Sequence, residues 1–155
     1  MTPDMLSVYT RDMFLQKTLR SRVQVQGIGL HSGEPCALNF VPAPPNTGVH
    51  FVRIDLPGQP SLKVHVSNVS ATGYATTLGG GKDKQDAFSV ATVEHCLSAL
   101  AALRVDNLII ELTGNEIPIT DGSARSFLDA IQSVGLIEQD QPRKYCYLTS
   151  PVYYS

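Results

Sequence analysis

Leu108-Ile109-Ile110-Glu111-Leu112 is a nearly continuous apolar run of five residues, rich in β-branched side chains and flanked on both sides by helical periodicity. Its length is that of a strand and its branched side chains suit a pleated, buried surface, so it reads as a central strand. Upstream, Val93, Leu97, Leu100 and Leu103 recur at helical spacing with alanines between them, and Val105-Asp106-Asn107 stops the pattern. Ser89 and Thr92 are placed to cap the first turn of that helix. Downstream, Ser123 is placed to cap a second helix with Phe127, Leu128, Ile131 and Val134 on one face, and Gly135 ends it.

Working outward, Leu19, Val23 and Val25 alternate with polar residues as a half-buried strand ended by Gly27-Ile28-Gly29. Further strands are expected at Cys36 to Val41, at Val49 to Ile54, and where Leu62, Val64 and Val66 alternate with Lys63, His65 and Ser67. A short segment follows at Tyr74 to Leu78, and another strand begins at Tyr145 to Leu148. Turn-forming stretches separate them, among them Pro42-Ala43-Pro44-Pro45-Asn46-Thr47-Gly48 and Asp55-Leu56-Pro57-Gly58-Gln59-Pro60. Several strands with two main helices on one face predict an α+β fold, a two-layer sandwich with a largely antiparallel sheet.

With 43% hydrophobic and 17% charged residues, the chain has the composition of one ordinary globular domain rather than of a disordered segment. Its 12 basic and 14 acidic residues leave a formal charge of -2, which gives no electrostatic reason to expect nucleic acid or an anionic membrane as partner. No apolar run is long enough to span a bilayer and the start lacks a basic region, so a cytoplasmic location without a transmembrane segment is expected. Cys36, Cys96 and Cys146 are odd in number and widely spaced, which indicates neither a disulfide framework nor a cysteine metal site. Gly79-Gly80-Gly81-Lys82-Asp83-Lys84 reads as an exposed turn. It is not a phosphate loop, because Asp83 stands where Ser or Thr would bind magnesium. Gly27-Ile28-Gly29-Leu30-His31-Ser32 fails as a dinucleotide fingerprint because Ser32 replaces the third glycine.

The chemistry concentrates at Thr92-Val93-Glu94-His95. A hydrolytic metal centre needs a neutral imidazole on the ion and a carboxylate that takes a proton from water, and Glu94 and His95 could supply one of each. The same pair also fits an acidic helix start beside a surface histidine, and spacing alone does not separate the two readings. A catalytic zinc usually has three protein ligands, and no second metal-ligand spacing occurs in these 155 residues. His31 lies in a glycine-flanked loop that could present it to a ligand, or it could cap a turn. His50 and His65 fall in strand patterns. Asp121, before Gly122, reads as a turn-fixing residue.

Five blocks in order carry a resemblance: Lys17-Thr18-Leu19-Arg20, Gly27-Ile28-Gly29-Leu30-His31-Ser32-Gly33, Pro42-Ala43-Pro44-Pro45-Asn46-Thr47-Gly48-Val49, Thr92-Val93-Glu94-His95 and Glu116-Ile117-Pro118-Ile119-Thr120-Asp121-Gly122-Ser123-Ala124. Together they resemble the zinc-dependent UDP-3-O-acyl-N-acetylglucosamine deacetylases of lipid A biosynthesis. The resemblance implies that His95 binds catalytic Zn2+ and that Glu94 is the general base on the attacking water, releasing acetate and a free amine. It implies that Gly73, Tyr74, Ala75, Thr76 and Thr77 line the site that takes the substrate UDP-3-O-acyl-N-acetylglucosamine, and the glycine-flanked loop adds His31 as a further lining candidate. Tyr74 and the glycines after Leu78 depart from the family's usual pattern.

The family has two similar domains and is roughly twice this length, with further zinc ligands in an H-x-x-x-D motif of the second domain. On that comparison, residues 1–16 read as an extension, 17–142 as the family's N-terminal domain, and 143–155 as the start of a truncated second domain. The C-terminal domain is then expected as a partner in cis or in trans. A non-catalytic binding or regulatory module that keeps the family fold is the competing expectation.

Overall fold

A computed structural model describes residues 14–79, 88–145 and 150–154. The chain runs β1 (Leu15–Leu19), β2 (Val23–Ile28), β3 (Pro35–Pro42), β4 (Val49–Arg53), β5 (Ser61–Lys63), β6 (Val69–Ala71), β7 (Thr77–Gly79), β8 (Ser89–Val90), α1 (Glu94–Leu103), β9 (Leu108–Leu112), α2 (Arg125–Val134) and β10 (Leu136–Pro142). The expected central strand is β9, third in a five-stranded sheet of order β2-β3-β9-β4-β5. All neighbours in that sheet are antiparallel except β9 and β4.

Period-two alternation explains which face is covered. Val25 and Leu38 face one way in a row with Leu112, and Phe40, Ile110 and Phe51 form the next row. These side chains are buried with Phe127 and Ile131 of α2 and with Cys96, Ala99 and Leu100 of α1. Phe40 and Phe127 meet edge to face, with ring centroids 6.4 Å apart and planes at 88°. Such a pair adds about 0.5–1.5 kcal/mol to the burial of the two rings. The opposite face is polar: Gln24, Asn39 and Glu111 share a row, and Arg22 Nη2 donates to Glu111 Oε2 at 2.8 Å. Glu111 therefore interrupts the apolar run because it faces away from the core. The α+β class, two helices on one face of largely antiparallel strands, is as expected.

The strands are divided further than the alternation suggests. The single strand expected from Leu19 to Val25 is two, β1 and β2, separated at the exposed residues Arg20, Ser21 and Arg22. β1 leaves the main sheet to pair with β10, a strand that no periodicity announced, and the Arg20 N–H donates to the Gly135 carbonyl at 2.9 Å. The expected strand through Val66 stops at Lys63. His65 then caps a 3-10 turn at Val66–Asn68, its Nδ1 accepting from the Ser67 N–H, and Val66 is 80% exposed. β6, β7 and β8 form a third, small sheet whose middle strand continues the loop at Tyr74.

Cys36 and Cys96 are buried free thiols. Burial pushes the Cys96 thiol up to about 12, which suits a packing role. The expected strand from Tyr145 to Leu148 falls largely, and Cys146 and most of the Gly79 to Lys84 turn fall entirely, outside the described residues. No helix among the described residues is long and apolar enough to cross a membrane.

Candidate active site

Glu94 is the first residue of α1 and His95 the second, both half-buried. Neither expected side-chain cap starts this helix. Ser89 lies in β8, and the Thr92 hydroxyl donates instead to Glu116 Oε1 at 2.9 Å. The lead-in is held by the backbone of Thr76: the Val93 N–H donates to the Thr76 carbonyl at 3.2 Å, and the Thr76 N–H donates to Glu94 Oε2 at 3.0 Å. The carboxylate is thus clipped by the loop before β7 while it sits at the positive end of the α1 dipole, where a negative charge is favoured. Its orientation is set by backbone on both sides.

This clip brings part of the expected substrate-lining loop against Glu94. Ala75, Thr76 and Thr77 are half-buried beside the helix start, whereas Gly73 and Tyr74 are exposed. Tyr74 projects almost completely, at 99% exposure, from a left-handed backbone position with φ 63°. The His95 imidazole takes no hydrogen bond among the described residues, while its carbonyl accepts from Ser98 Oγ at 2.8 Å. Its ring nitrogens are therefore not committed to any of the described residues.

His31 reaches this neighbourhood through its backbone. The loop after β2 is closed by Gly33 N–H to Gly29 O at 3.1 Å and Gly29 N–H to Glu34 O at 3.0 Å, and the His31 side chain is exposed on it. The N–H groups of His31 and Ser32 donate to Glu116, at 3.0 Å to Oε1 and 2.7 Å to Oε2 respectively. Glu116 is only 4% exposed. Burial alone would raise its carboxyl, but the His31 amide, the Ser32 hydroxyl and amide and the Thr92 hydroxyl together outweigh it and hold the group at about 2. Glu116 opens the last of the five resembling blocks, but no role was assigned to it there. The available signal was an acidic residue opening the apolar stretch Ile117-Pro118-Ile119, where a buried charge must find donors.

Thr92 itself has φ 58°, a left-handed conformation that is an outlier for a β-branched residue. Such strain costs on the order of 1–3 kcal/mol, and it persists where surrounding contacts over-determine it. The turn-fixing reading of Asp121 agrees with the geometry: its Oδ1 accepts from the Ser123 N–H at 3.0 Å and from Ser123 Oγ at 2.9 Å. Ser123 Oγ in turn accepts from the Arg125 N–H at the start of α2. His50 stands opposite Lys63 across β4 and β5, away from this cluster, and burial followed by the Lys63 charge lowers its pKa.

Imidazole and carboxylate are suitable donors for zinc, but one histidine is fewer ligands than a catalytic zinc takes. Among the described residues there is no group of three or more His, Cys, Asp or Glu side chains that could hold a metal ion. Of the residues gathered here, the His95 imidazole could supply one zinc ligand, and the described residues supply no complete set.

Residues 16–155 match the family model described as LpxC: UDP-3-O-acyl N-acetylglycosamine deacetylase. Three relatives bearing the name UDP-3-O-acyl-N-acetylglucosamine deacetylase are similar to this chain. The protein from Bdellovibrio bacteriovorus is 66% identical over 143 residues, covering 92% of this chain and 46% of its own length. The protein from Thermosynechococcus vestitus is 45% identical, covering 88% and 46%, and that from Pseudomonas entomophila is 46% identical, covering 86% and 42%. The chain spans about half the length of the curated relatives it matches. With the family model covering nearly its whole length, the chain belongs to the UDP-3-O-acyl N-acetylglycosamine deacetylase (LpxC) family.

Proposed function

We propose that this chain carries the N-terminal share of a zinc-dependent hydrolase site that removes the N-acetyl group of UDP-3-O-acyl-N-acetylglucosamine, giving acetate and the free amine. The observation that carries the reading is the Glu94 carboxylate, clipped by the Thr76 amide at a helix start beside a His95 imidazole that takes no hydrogen bond among the described residues. When bound, zinc supplies a Lewis acid that polarises the acetyl carbonyl and makes water a better nucleophile. His95 would be one of the residues holding it, through a ring nitrogen. Glu94 takes a proton from the attacking water as the carbon–oxygen bond forms, and the carbon–nitrogen bond then breaks with the electron pair leaving on nitrogen. That nitrogen needs a proton, which Glu94 holds after the first step and can return, alone or with a second acid. Glu94 is suited to this because the Thr76 bond engages Oε2, its one partner among the described residues, and leaves the other oxygen for water.

His31 and the loop Gly73, Tyr74, Ala75, Thr76 and Thr77 are proposed to line the substrate, and the remaining zinc ligands to come from the half of the relatives' length that this chain does not span. Residues 17–142 then form the first domain and 143–155 lead into the second, supplied in cis or in trans.

In protein carrying both halves, His95→Ala should weaken zinc binding by at least about tenfold, because one of the few ligands is gone. Competitive titration against a chelator measures it. An unchanged zinc affinity would remove His95 from the ligand set and with it the proposed site.

A further inference from the structure

Three segments meet at the Glu116 carboxylate. The loop after β2 presents the His31 and Ser32 amides to it, and the turn before α1 presents the Thr92 hydroxyl. Its own backbone lies alongside the same turn, through a parallel bridge to Ala91 that includes Ala91 N–H to Asn115 O at 2.8 Å and Ile117 N–H to Ala91 O at 3.0 Å. The fit is close. A Cβ added at Gly29 would lie 2.4 Å from Glu116 Oε2 and 2.3 Å from Ser32 Oγ, so the carboxylate occupies the space that any larger residue there would need. No cation pairs with Glu116 among the described residues. The charge is satisfied by donors that come from the His31 loop and the helix lead-in, not from the sheet or the core.

We propose that Glu116 is a positioning residue of the deacetylase site, fixing the His31 loop to the left-handed Thr92 turn so that His31 and the Glu94–His95 pair keep one relative position. The proposal rests on the functional reading above. Two residues after Thr92 comes Glu94, so a change in that turn swings the start of α1 against the Thr76 clip. On the other side, the exposed His31 side chain takes no hydrogen bond among the described residues, and its loop is tied down by the two amides on Glu116. A purely structural carboxylate would hold parts of the scaffold together, whereas this one joins the two segments that present the proposed chemistry.

The test is Glu116→Gln in protein carrying both halves, with turnover and amide hydrogen exchange measured on the same preparation. Glutamine keeps the shape but turns one acceptor oxygen into a donor that faces the loop amides. Turnover should fall about tenfold to a hundredfold, mostly in kcat, as when a group that orients catalytic residues is lost. Exchange at the His31 and Ser32 amides should accelerate at least about tenfold, while that at Leu38 and Ile110 in the core sheet stays unchanged. Thr92→Val, which removes only the hydroxyl, should lower kcat in the same direction, and Thr92→Ser should restore it. Gly29→Ala should reproduce the Glu116→Gln pattern and stands in for it if that variant does not fold. Normal kcat despite accelerated loop exchange overturns the proposal, and so does acceleration spread evenly over loop and core. Absence of turnover in the wild-type protein would instead overturn the deacetylase reading, and the exchange data would still decide whether Glu116 ties the two segments together.

Discussion

Glu94→Gln is expected to lower deacetylation by about a hundredfold to ten-thousandfold, the range over which a positioned general base contributes. The effect is on chemistry because glutamine keeps an acceptor for the Thr76 N–H at the position of Oε2 and so preserves the clip at the start of α1. What it loses is the basic oxygen. Glu94→Ala should reach at least the same loss, but it also leaves the Thr76 amide without its partner, at a cost of about 1 kcal/mol or more in stability. Zinc content should be largely retained in both, since Glu94 is assigned to water and His95 to the ion. Steady-state kinetics with metal analysis check this together. A variant that kept wild-type kcat would remove Glu94 as the base, and one that lost both zinc and turnover would make it a ligand instead.

Acid should expose the second large effect, at Glu116. Its folded-state pKa of about 2 lies below the ordinary value of 4.5, so the carboxylate is worth more in the folded protein than in the unfolded chain. A lowered carboxylate contributes its full stabilisation above the unfolded pKa and loses it as pH falls through the folded one, so the window runs from 4.5 down to about 2. The shift corresponds to about 3 kcal/mol. Denaturant unfolding at a series of pH values should therefore show stability falling across that window in the wild-type protein and a clearly flatter course in Glu116→Gln. The variant curve does not become level, because Asp55, hydrogen-bonded to Arg53, is also lowered and titrates in the same direction. Equal slopes in the two proteins would show that the Glu116 charge is not what these donors stabilise.

The parts of the fold that were legible in advance are those whose side chains report burial directly. Leu108, Ile110 and Leu112 are buried on one face of β9, and Phe127 and Ile131 on one face of α2, so period two and period 3.6 both pointed to the core. The break at Arg20 was hidden because the alternation continues unchanged on either side of a turn that moves the chain from one sheet to another. β10 was hidden for a different reason: Leu136-Ile137-Glu138-Gln139-Asp140-Gln141-Pro142 has little intrinsic strand preference and is held by its pairing with β1.

The candidate site divides in the same way. Residue type and spacing left Glu94 and His95 between an ordinary helix start and half a metal site, and it was the resemblance across five blocks that made them, and the Gly73 to Thr77 loop, candidates. The clip on Glu94 and the grip on the His31 loop are made by the N–H groups of Thr76, His31 and Ser32, which every non-proline residue carries. Backbone donors leave no mark in residue identity. Thr92 was read as a helix cap from its hydroxyl and its position, which is a sound local rule, but the buried Glu116 carboxylate competes for that hydroxyl and takes it.

The central claim is that Glu94 and His95 are one share of a zinc hydrolase site completed by a second domain. Acetate release from UDP-3-O-acyl-N-acetylglucosamine, measured with equimolar zinc for residues 1–155 alone and for the same residues joined to the second half, tests it most directly. Turnover is predicted only in the joined protein, with Glu94→Gln abolishing nearly all of it. Efficient turnover by residues 1–155 alone, or a folded, zinc-loaded joined protein that releases no acetate, would contradict the account.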